Sequence, residues 1–427
     1  MDRRQFVAAL GAAFAARAMT SSGEVQATST PGATSHDAGP VTLFLAGDVM
    51  LGRGIDQVLP HSVDPRLHES YVKDARRYVA LAEAEHGEIP APVPFDYVWG
   101  DALAELDRMD PDARIINLET AVTTSDSPWA HKGIHYRMHP ENTPVLTAAG
   151  IDVCVLGNNH VMDWGRAGLR ETLEALSAAG LPTAGAGESA RAAAAPAVVE
   201  TGKGRLLVFS YGTPTAGVPT DWAAAGEAGG GEADGGEGDG EGARAGVNLL
   251  PTLDREAADR VIEDVESRRE DGDRVVVSIH WGGNWGYDVP AAQRWFAHRL
   301  IDAGAADVVH GHSSHHPKGI EVHGGRLILY GAGDFLNDYE GIGGREEYRG
   351  GLTVMYFPTL APSGELVELR MAPMRIRRFR LERAPEEDAE WLAERLDEHS
   401  RVLGTRVAPP APGPAPGPRF GFSVFRE

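Results

Sequence analysis

Short runs of hydrophobic, often β-branched residues recur along this chain, and polar residues that can bind a metal ion follow each run. Five such segments cover residues 43–48, 115–119, 153–160, 275–280 and 308–316. Runs of this kind are typical of buried strands. In open α/β sheets, ligands bind beyond the carboxyl ends of the strands. Because Asp, Glu, Asn and His stand at these ends in turn, the pattern predicts that the strand ends converge on one polar site, most simply a metal centre.

Helical spacing of leucine, valine and aromatic residues fills the intervals between these runs. The predicted helices cover residues 101–108, 165–179, 252–269, 291–303 and 385–402. Further strands are expected at residues 205–211, 326–330 and 352–357. Strands that alternate with helices indicate an α/β architecture.

The first twenty residues differ from the rest of the chain. Arg3 and Arg4 precede a short apolar stretch of mostly small residues at 8–16. This pattern resembles a Tat export signal, and a basic, frayed N-terminal helix is the alternative. Residues 1–20 therefore predict export of the mature protein to the periplasm, the cell surface or the extracellular space.

Segments of low complexity delimit the predicted main domain, residues 41–380. Each is rich in small residues or proline and cannot bury enough apolar surface to order itself. They are a flexible linker at residues 21–40, a disordered insertion at 223–246 and, after the C-terminal helix, a Pro-rich tail that completes residues 381–427.

The composition excludes several classes of function. The 427 residues carry a net charge of -22, with a pI of about 5.1. Binding to nucleic acid needs a basic surface, which this sequence lacks. Runs long enough for a transmembrane span, about 18 apolar residues, are also missing. The single cysteine, Cys154, cannot form an intramolecular disulfide, and its apolar surroundings favour a buried core residue over a catalytic thiol.

Two carboxylates at strand ends are candidate metal ligands. Asp48 directly follows the first run and suits a hard cation, with a turn or helix-cap role as the alternative. Asn117 and Glu119 are two residues apart, so they point the same way in extended structure. Glu119 is therefore predicted to bridge two metal ions, and Asn117 either assists it or makes a turn.

The tetrapeptide at residues 157–160 combines a neutral ligand with a group that transfers protons. The Asn159 carbonyl can bind a metal without adding charge, and His160 beside it can donate or accept a proton near the metal. Asp163, three residues later, is predicted to orient His160. Tandem asparagines also commonly form turns.

Histidines supply the remaining candidate ligands. His280 ends the most hydrophobic run, and a buried core histidine is the alternative. Imidazoles crowded into residues 310–316 would repel one another if protonated, which favours neutral metal ligands over a polar surface loop. We assign His312 and His315 as ligands, expect His310 to support a ligand, and expect His316 to face solvent.

Other residues are candidate substrate contacts. Arg53 can bind a phosphate or carboxylate in a bidentate manner, although a salt bridge explains it equally well. Lys318 is a second candidate. Motifs for a nucleophilic serine elbow or a phosphate-binding P-loop are missing from the sequence. A pair of catalytic carboxylates of the glycosidase type would leave the histidines unexplained.

The ordered motifs resemble those of the CapA family, which takes part in poly-γ-glutamate capsule biosynthesis and is similar in fold to calcineurin-like metallophosphoesterases. The resemblance extends over about residues 41–380, and its motifs lie at residues 47–50, 117–119, 158–160, 280–282, 311–321 and 333–335. It implies a four-layer α/β sandwich of two mixed β-sheets flanked by helices. It also implies two divalent metal ions, Mn, Fe, Zn or Mg, at the strand ends.

The resemblance gives each candidate residue a role. Asp48 matches the first metal-binding aspartate, Glu119 takes the place of the bridging aspartate, and His160 matches the proton donor. The remaining ligands would be Asn159, His280, His312 and His315. This chain departs from the phosphoesterase pattern at Met50, where a histidine is usual, and in the two serines between His312 and His315. These departures leave one metal position with fewer ligands.

Two functions follow from these observations. The first is an exported CapA-type protein for poly-γ-glutamate synthesis or export, working with a membrane-bound polymer synthase complex. Its anionic polymer would bind a groove with Arg53, Lys132, Arg137 and Lys318. The alternative is a metal-dependent hydrolase, a phosphoesterase or an amide or acyl hydrolase, that acts on another substrate such as a small phosphorylated molecule.

Overall fold

Strands carry the hydrophobic runs of the sequence, and helices separate them along the chain. The computed structural model describes residues 39–226, 242–408 and 422–426. The strands are β1 (Val41–Val49), β2 (Ala113–Leu118), β3 (Ala121–Val122), β4 (Arg137–Met138), β5 (Val153–Val155), β6 (Thr183–Ala184), β7 (Ala186–Gly187), β8 (Ala197–Thr201), β9 (Gly204–Gly212), β10 (Gly246–Val247), β11 (Arg274–His280), β12 (Val308–His312), β13 (Ile320–His323), β14 (Arg326–Leu329), β15 (Asp334–Leu336), β16 (Leu352–Leu360), β17 (Leu366–Arg377), β18 (Arg380–Arg383), β19 (Thr405–Ala408) and β20 (Phe422–Arg426).

The helices occupy the intervals where apolar residues recur at helical spacing. They are α1 (Gly54–Val58), α2 (Arg76–His86), α3 (Asp101–Met109), α4 (Pro144–Ala148), α5 (Gly165–Ala178), α6 (Ala190–Ala193), α7 (Arg255–Glu266), α8 (Ala291–Asp302) and α9 (Glu386–Arg401). The predicted helices are confirmed, but α7 is shorter than expected. It begins after Asp254, whose side chain accepts the backbone N–H of Ala257 and caps the helix.

Several segments of the predicted organisation lie outside the described residues. They are the export signal, the linker up to residue 38, residues 227–241 of the insertion, and residues 409–421 of the tail. The described ends of the insertion are ordered, because Ala223 pairs with Val247 and Ala225 pairs with Arg244 in isolated bridges. Throughout the part of the chain that the structure describes, no helix has the length and apolar character of a membrane span.

Two mixed sheets dominate the described part of the chain. The larger runs β19-β20-β17-β16-β1-β2-β5-β6, and β15 and β18 join it beside β1 and β17. The smaller runs β13-β14-β12-β11-β9-β8. Strand β1 lies parallel to β2 and β15, and β11 lies parallel to β9 and β12. The α/β prediction is therefore confirmed, with mixed sheets.

A shared hydrophobic core holds the two sheets together. Alternate residues of β1 face opposite ways: Leu43 and Leu45 join a cluster that also contains Val276 and Val308 of the smaller sheet. Phe44 packs in a different cluster, with residues of α3 and α5. A third cluster packs α7 and α8 on the smaller sheet. Because β1 is buried on both faces, it reads as one continuous apolar run.

Strand register places the polar ends side by side. Asp48 on β1 lies opposite Asn117 on β2 and Asp334 on β15. His280 on β11 lies opposite His312 on β12. The side chains that follow the hydrophobic runs therefore meet at one end of the two sheets, as the sequence pattern predicts. Cys154 is fully buried in β5, which confirms it as a core residue.

A close backbone approach next to this end gives a test of the fold. A Cβ atom on Gly47 would lie 1.8 Å from the carbonyl oxygen of Gly333, whose own φ is +82°. Gly47→Ala must therefore displace β15 from β1, and we expect it to lower the free energy of unfolding by about 1–3 kcal/mol. Urea denaturation would measure the change. The control is Gly202→Ala, where a Cβ has no neighbour within 4 Å among the described residues; equal effects would contradict the prediction.

Candidate metal centre

Three buried side chains from both sheets converge in the middle of the site. Ligand atoms of Asp48, His280 and His312 all lie within 4.8 Å of one another. The Nδ1 atoms of His280 and His312 are 2.8 Å apart. Oδ1 of Asp48 lies 3.6 Å from Nδ1 of His312 and 4.0 Å from Nδ1 of His280. Because metal–ligand bonds of about 2.0–2.2 Å bring ligand atoms into such proximity, this arrangement suits one cation.

A second group lies on the other side of the His280 ring. Nε2 of His280 is 3.0 Å from Oδ1 of Asn159 and 3.8 Å from Oε1 of Glu119. Nε2 of His160 is 3.7 Å from the same Glu119 oxygen. His280 thus stands between the two groups. The structure brings together six of the residues selected from sequence: Asp48, Glu119, Asn159, His160, His280 and His312.

Amide groups fix the orientation of Asp48. The Asn117 Nδ2 donates to its Oδ1 over 2.8 Å, and the backbone N–H of Ser313 donates to its Oδ2 over 3.1 Å. Asn158 in turn donates to Oδ1 of Asn117 and accepts the backbone N–H of His160. Asn158 was not among the candidate residues selected from sequence, although its place beside Asn159 was the available signal. Asn158 joins the β2 end to the loop that carries His160.

Asp163 and Lys132 hold the His160 ring. Nδ1 of His160 lies 2.7 Å from Oδ2 of Asp163, and the Lys132 ammonium lies 2.8 Å from Oδ1 of the same carboxylate. The backbone N–H of Tyr136 also donates to Asp163. These contacts turn Nε2 of His160 toward Glu119. Burial lowers the pKa of His160 to about 4, although Asp163 opposes the change, so the imidazole is neutral at pH 7.

The electrostatics of the site fit a divalent cation. Burial, followed by the charge of Asp334, raises the pKa of Asp48 to about 7. Burial and the charge of Asp48 raise the pKa of Glu119. Oε2 of Glu119 is buried and accepts no hydrogen bond from the described residues. Burial also lowers the pKa values of His280 and His312, so their lone pairs are available. Crowded carboxylates beside neutral imidazoles form a donor set that positive charge would stabilise.

His315, a ligand predicted from sequence, lies beside Asp334 and is not part of the group formed by Asp48, His280 and His312. Its Nδ1 is 2.9 Å from Oδ1 of Asp334, and its Nε2 is 2.9 Å from Nδ2 of Asn284. Asn337 donates to the other Asp334 oxygen over 2.8 Å. Asp334, whose charge acts on both Asp48 and Glu119, was missing from the ligands selected by sequence. Its position just after a strand and a glycine was the signal that could have included it.

The two remaining histidines of residues 310–316 are both buried. Nδ1 of His310 is 3.1 Å from Oγ of Ser278, which also lies 2.9 Å from Nε2 of His312. The expectation that His316 faces solvent was wrong. The His316 ring stacks on Tyr348 with centroids 4.4 Å apart and contacts Tyr287 at 4.6 Å. Aromatic residues from distant loops cover it, and stacking favours the buried position.

A cleft of about 940 Å³ opens beside the metal-ligand candidates. Its walls mix aromatic, basic and acidic side chains, among them Arg53, Trp285, His315, Tyr339, Arg345 and Glu346. The cleft is thus large enough for an extended or multi-atom ligand. His315 lines the cleft and also contacts the buried Asp334.

Comparison with known proteins identifies the family. Residues 42–339 match the bacterial capsule synthesis protein PGA_cap family. The chain belongs to this family. It is 46% identical to a probable polyglutamine synthesis accessory protein of Mycobacterium tuberculosis over 370 residues, which are 86% of this chain and 93% of the relative. Identity is 27% to the PGA biosynthesis protein CapA of Bacillus subtilis, covering 72% of this chain and 66% of the relative. Identity to the capsule biosynthesis protein CapA of Bacillus anthracis is 24%, covering 70% of this chain and 60% of the relative.

In this PGA_cap protein, the four cations expected to form one groove are each held by a protein acceptor. Arg53 lines the cleft, but its guanidinium pairs with Asp338 and with Glu69, the latter over 2.8 Å. The other three cations have different acceptors. Lys132 forms an ion pair with Asp163, and Lys318 donates to the backbone carbonyl of Asp288. Arg137 donates to the backbone carbonyls of Ser125 and Asp64. Buried cations need such partners. Arg53 is the one of the four that lines this cleft, and the groove of four cations stays a prediction.

The buried Arg53 cluster predicts a large effect on stability. Arg53→Met leaves the carboxylates of Glu69 and Asp338 buried without their cation, and we expect the free energy of unfolding to fall by about 3–5 kcal/mol. Chemical denaturation would measure this loss. Arg76→Met is the matched control, because its ion pair with Asp74 is exposed and should matter far less. A loss no greater than that of the control would show that the cluster does not stabilise the fold.

Proposed function

We propose that this protein is an exported accessory protein for the synthesis or export of a polyglutamate polymer, and that a divalent-metal centre carries its activity. Membership of the PGA_cap family and the printed names of its relatives support the polymer. The convergence of Asp48, His280 and His312 is the observation that carries the metal centre. The Tat-like pattern at residues 1–20 supports export. Action beside a membrane-bound synthase complex fits an accessory role.

The proposed centre draws its ligands from both sheets. Asp48, His280 and His312 would hold one ion, and Glu119 and Asn159 a second. Mixed oxygen and nitrogen donors suit Mn, Fe, Zn or Mg to differing degrees. A metal pair of this kind supplies an activated water and stabilises a developing oxyanion. Two mixed sheets with a shared core and ligands at their strand ends support the metallophosphatase-like sandwich as the architecture.

His160 supplies the proton-transfer group of the proposal. Asp163 binds its Nδ1, so Nε2 faces the ligand candidates and can hold or move a proton there. Tyr136 packs edge-on against the ring at 4.5 Å and restricts its rotation. A site that only bound polymer would not need this arrangement. It therefore favours the second candidate function, a metal-dependent hydrolase of the phosphoesterase or amide type.

Metal content gives the first test. Plasma mass spectrometry of the purified protein should find divalent metal, and His280→Ala/His312→Ala should lose one or two equivalents relative to the unchanged protein. His61→Ala/His139→Ala is the matched control, because these two neighbouring histidines, with ring centroids 5.9 Å apart, lie outside the site. Equal metal in the unchanged protein and the His280/His312 variant, in metal-replete preparations, would contradict the proposed centre.

His160→Ala separates metal binding from chemistry. We expect the variant to keep its metal and to lose turnover by about 10²–10⁴-fold, because the proton-transfer group is gone while the ligands remain. Cleavage of γ-glutamyl polymer and of phosphoesters would be measured side by side. Binding of polyglutamate without cleavage would support an accessory role. Hydrolysis of phosphoesters without affinity for polyglutamate would contradict it and favour the alternative.

A further inference from the structure

We propose that the protein carries a separate site for Zn²⁺ or a similar transition-metal ion, formed by His298 and Asp302 of helix α8 and by Glu321 and His323 of strand β13. Ligand atoms of His298, Glu321 and His323 all lie within 4.8 Å of one another. Asp302 approaches the same group, because its Oδ1 lies 2.7 Å from Nε2 of His323. This site goes beyond the proposed function and does not depend on it.

Helical and strand spacing explain why these four side chains lie close together. His298 and Asp302 are four residues apart on α8 and therefore share one face of that helix. Glu321 and His323 are two residues apart on β13 and point to the same side of the sheet. The helix packs against this side of the smaller sheet. Helical and strand spacing thus bring two imidazoles and two carboxylates to one place.

The site is distinct from the centre at the strand ends. His323 pairs with Arg326 at the start of β14, and β14 lies parallel to β12. His312 is the last residue of β12, at the opposite end of these strands. The two sites therefore lie at opposite ends of the smaller sheet. None of the residues proposed for the second site takes part in the strand-end centre.

The donor groups suit a transition-metal ion. Nε2 of His298 lies 3.0 Å from Oε1 of Glu321, and the rings of His298 and His323 stack with centroids 3.7 Å apart and planes 8° apart. An imidazole nitrogen binds a cation in the plane of its ring, so an ion shared by His298 and His323 requires the two rings to turn out of this stack. Imidazole and carboxylate donors together are typical of zinc sites. The two imidazole side chains are about a quarter exposed, which leaves a path for the ion.

Two neighbouring side chains, Tyr330 and Arg294, bind the carboxylate of Glu321 and would affect how an ion binds there. Tyr330 donates its hydroxyl to Oε2 of Glu321 over 2.7 Å and so fixes the carboxylate. Arg294 donates to Oε1 of Glu321 over 3.0 Å and would compete with a metal ion for this oxygen. The Arg294 side chain is 42% exposed, so it can turn into solvent when an ion binds. Competition with Arg294 should weaken the site without abolishing it.

Binding of Zn²⁺ to the full chain tests the proposal. Isothermal titration and metal content after dialysis should show one more equivalent of Zn²⁺ in the unchanged protein than in His298→Ala/His323→Ala. The control is again His61→Ala/His139→Ala, a second histidine pair with a nearby carboxylate, Glu141. Circular dichroism verifies that each variant is folded, and His323→Gln alone replaces the double variant if it is not. Equal stoichiometry in the folded variant and the unchanged protein overturns the proposal.

Two further measurements separate this site from its alternatives. The His280→Ala/His312→Ala variant should still bind the additional Zn²⁺ equivalent. Loss of the strand-end centre can therefore be distinguished from loss of the site at His298 and His323. Arg294→Gln should bind Zn²⁺ more tightly than the unchanged protein, because it no longer competes for Glu321. Weaker or unchanged binding in Arg294→Gln, together with unchanged stoichiometry in His298→Ala/His323→Ala, would show that the cluster is an ion-pair network only.

Discussion

The burial of Asp48 beside Glu119 is the constraint on which the rest of the site depends. Each carboxylate loses its water, and this burial raises the pKa of both. The charge of Asp334 raises the pKa of Asp48 further, and the charge of Asp48 raises the pKa of Glu119 further. Hydrogen bonds from Asn117 and Ser313 offset part of this cost at Asp48, but Oε2 of Glu119 has no donor among the described residues. The site therefore reaches low energy when positive charge is present, as a proton or as a metal ion.

Such a site requires a rigid frame, because its ligands come from two sheets. The core between the sheets holds β1 against β11 and β12, so Asp48 cannot move independently of His280 and His312. Within the larger sheet, Gly47 and Gly333 bring β1 and β15 into close contact. This contact places the charge of Asp334 next to Asp48. Packing between the sheets thus fixes both the distances between ligands and the electrostatics that favour a cation.

Much of the fold and of the site could be predicted from the sequence. Strands such as β1 and β11 are buried on both faces, so each is a mostly apolar run with a polar residue, Asp48 or His280, at or next to its end. The side chains that were missed depend on partners far along the chain. Asn158 bonds to Asn117, Lys132 pairs with Asp163, and His316 is covered by Tyr348. Local periodicity carries no signal for such contacts, which appear only when packing brings the partners together.

Burial also distinguishes the two proposed metal sites. Asp48, His280 and His312 are almost fully enclosed, so exchange of an ion there requires the surrounding structure to open. His298 and His323 lie on the outer face of the smaller sheet and remain partly exposed. An ion can exchange at this face without disturbing the strand ends. A tightly held ion therefore suits the interior centre and its chemistry, whereas an exchangeable ion at the outer face would join α8 to the edge strand β13 and stabilise that edge.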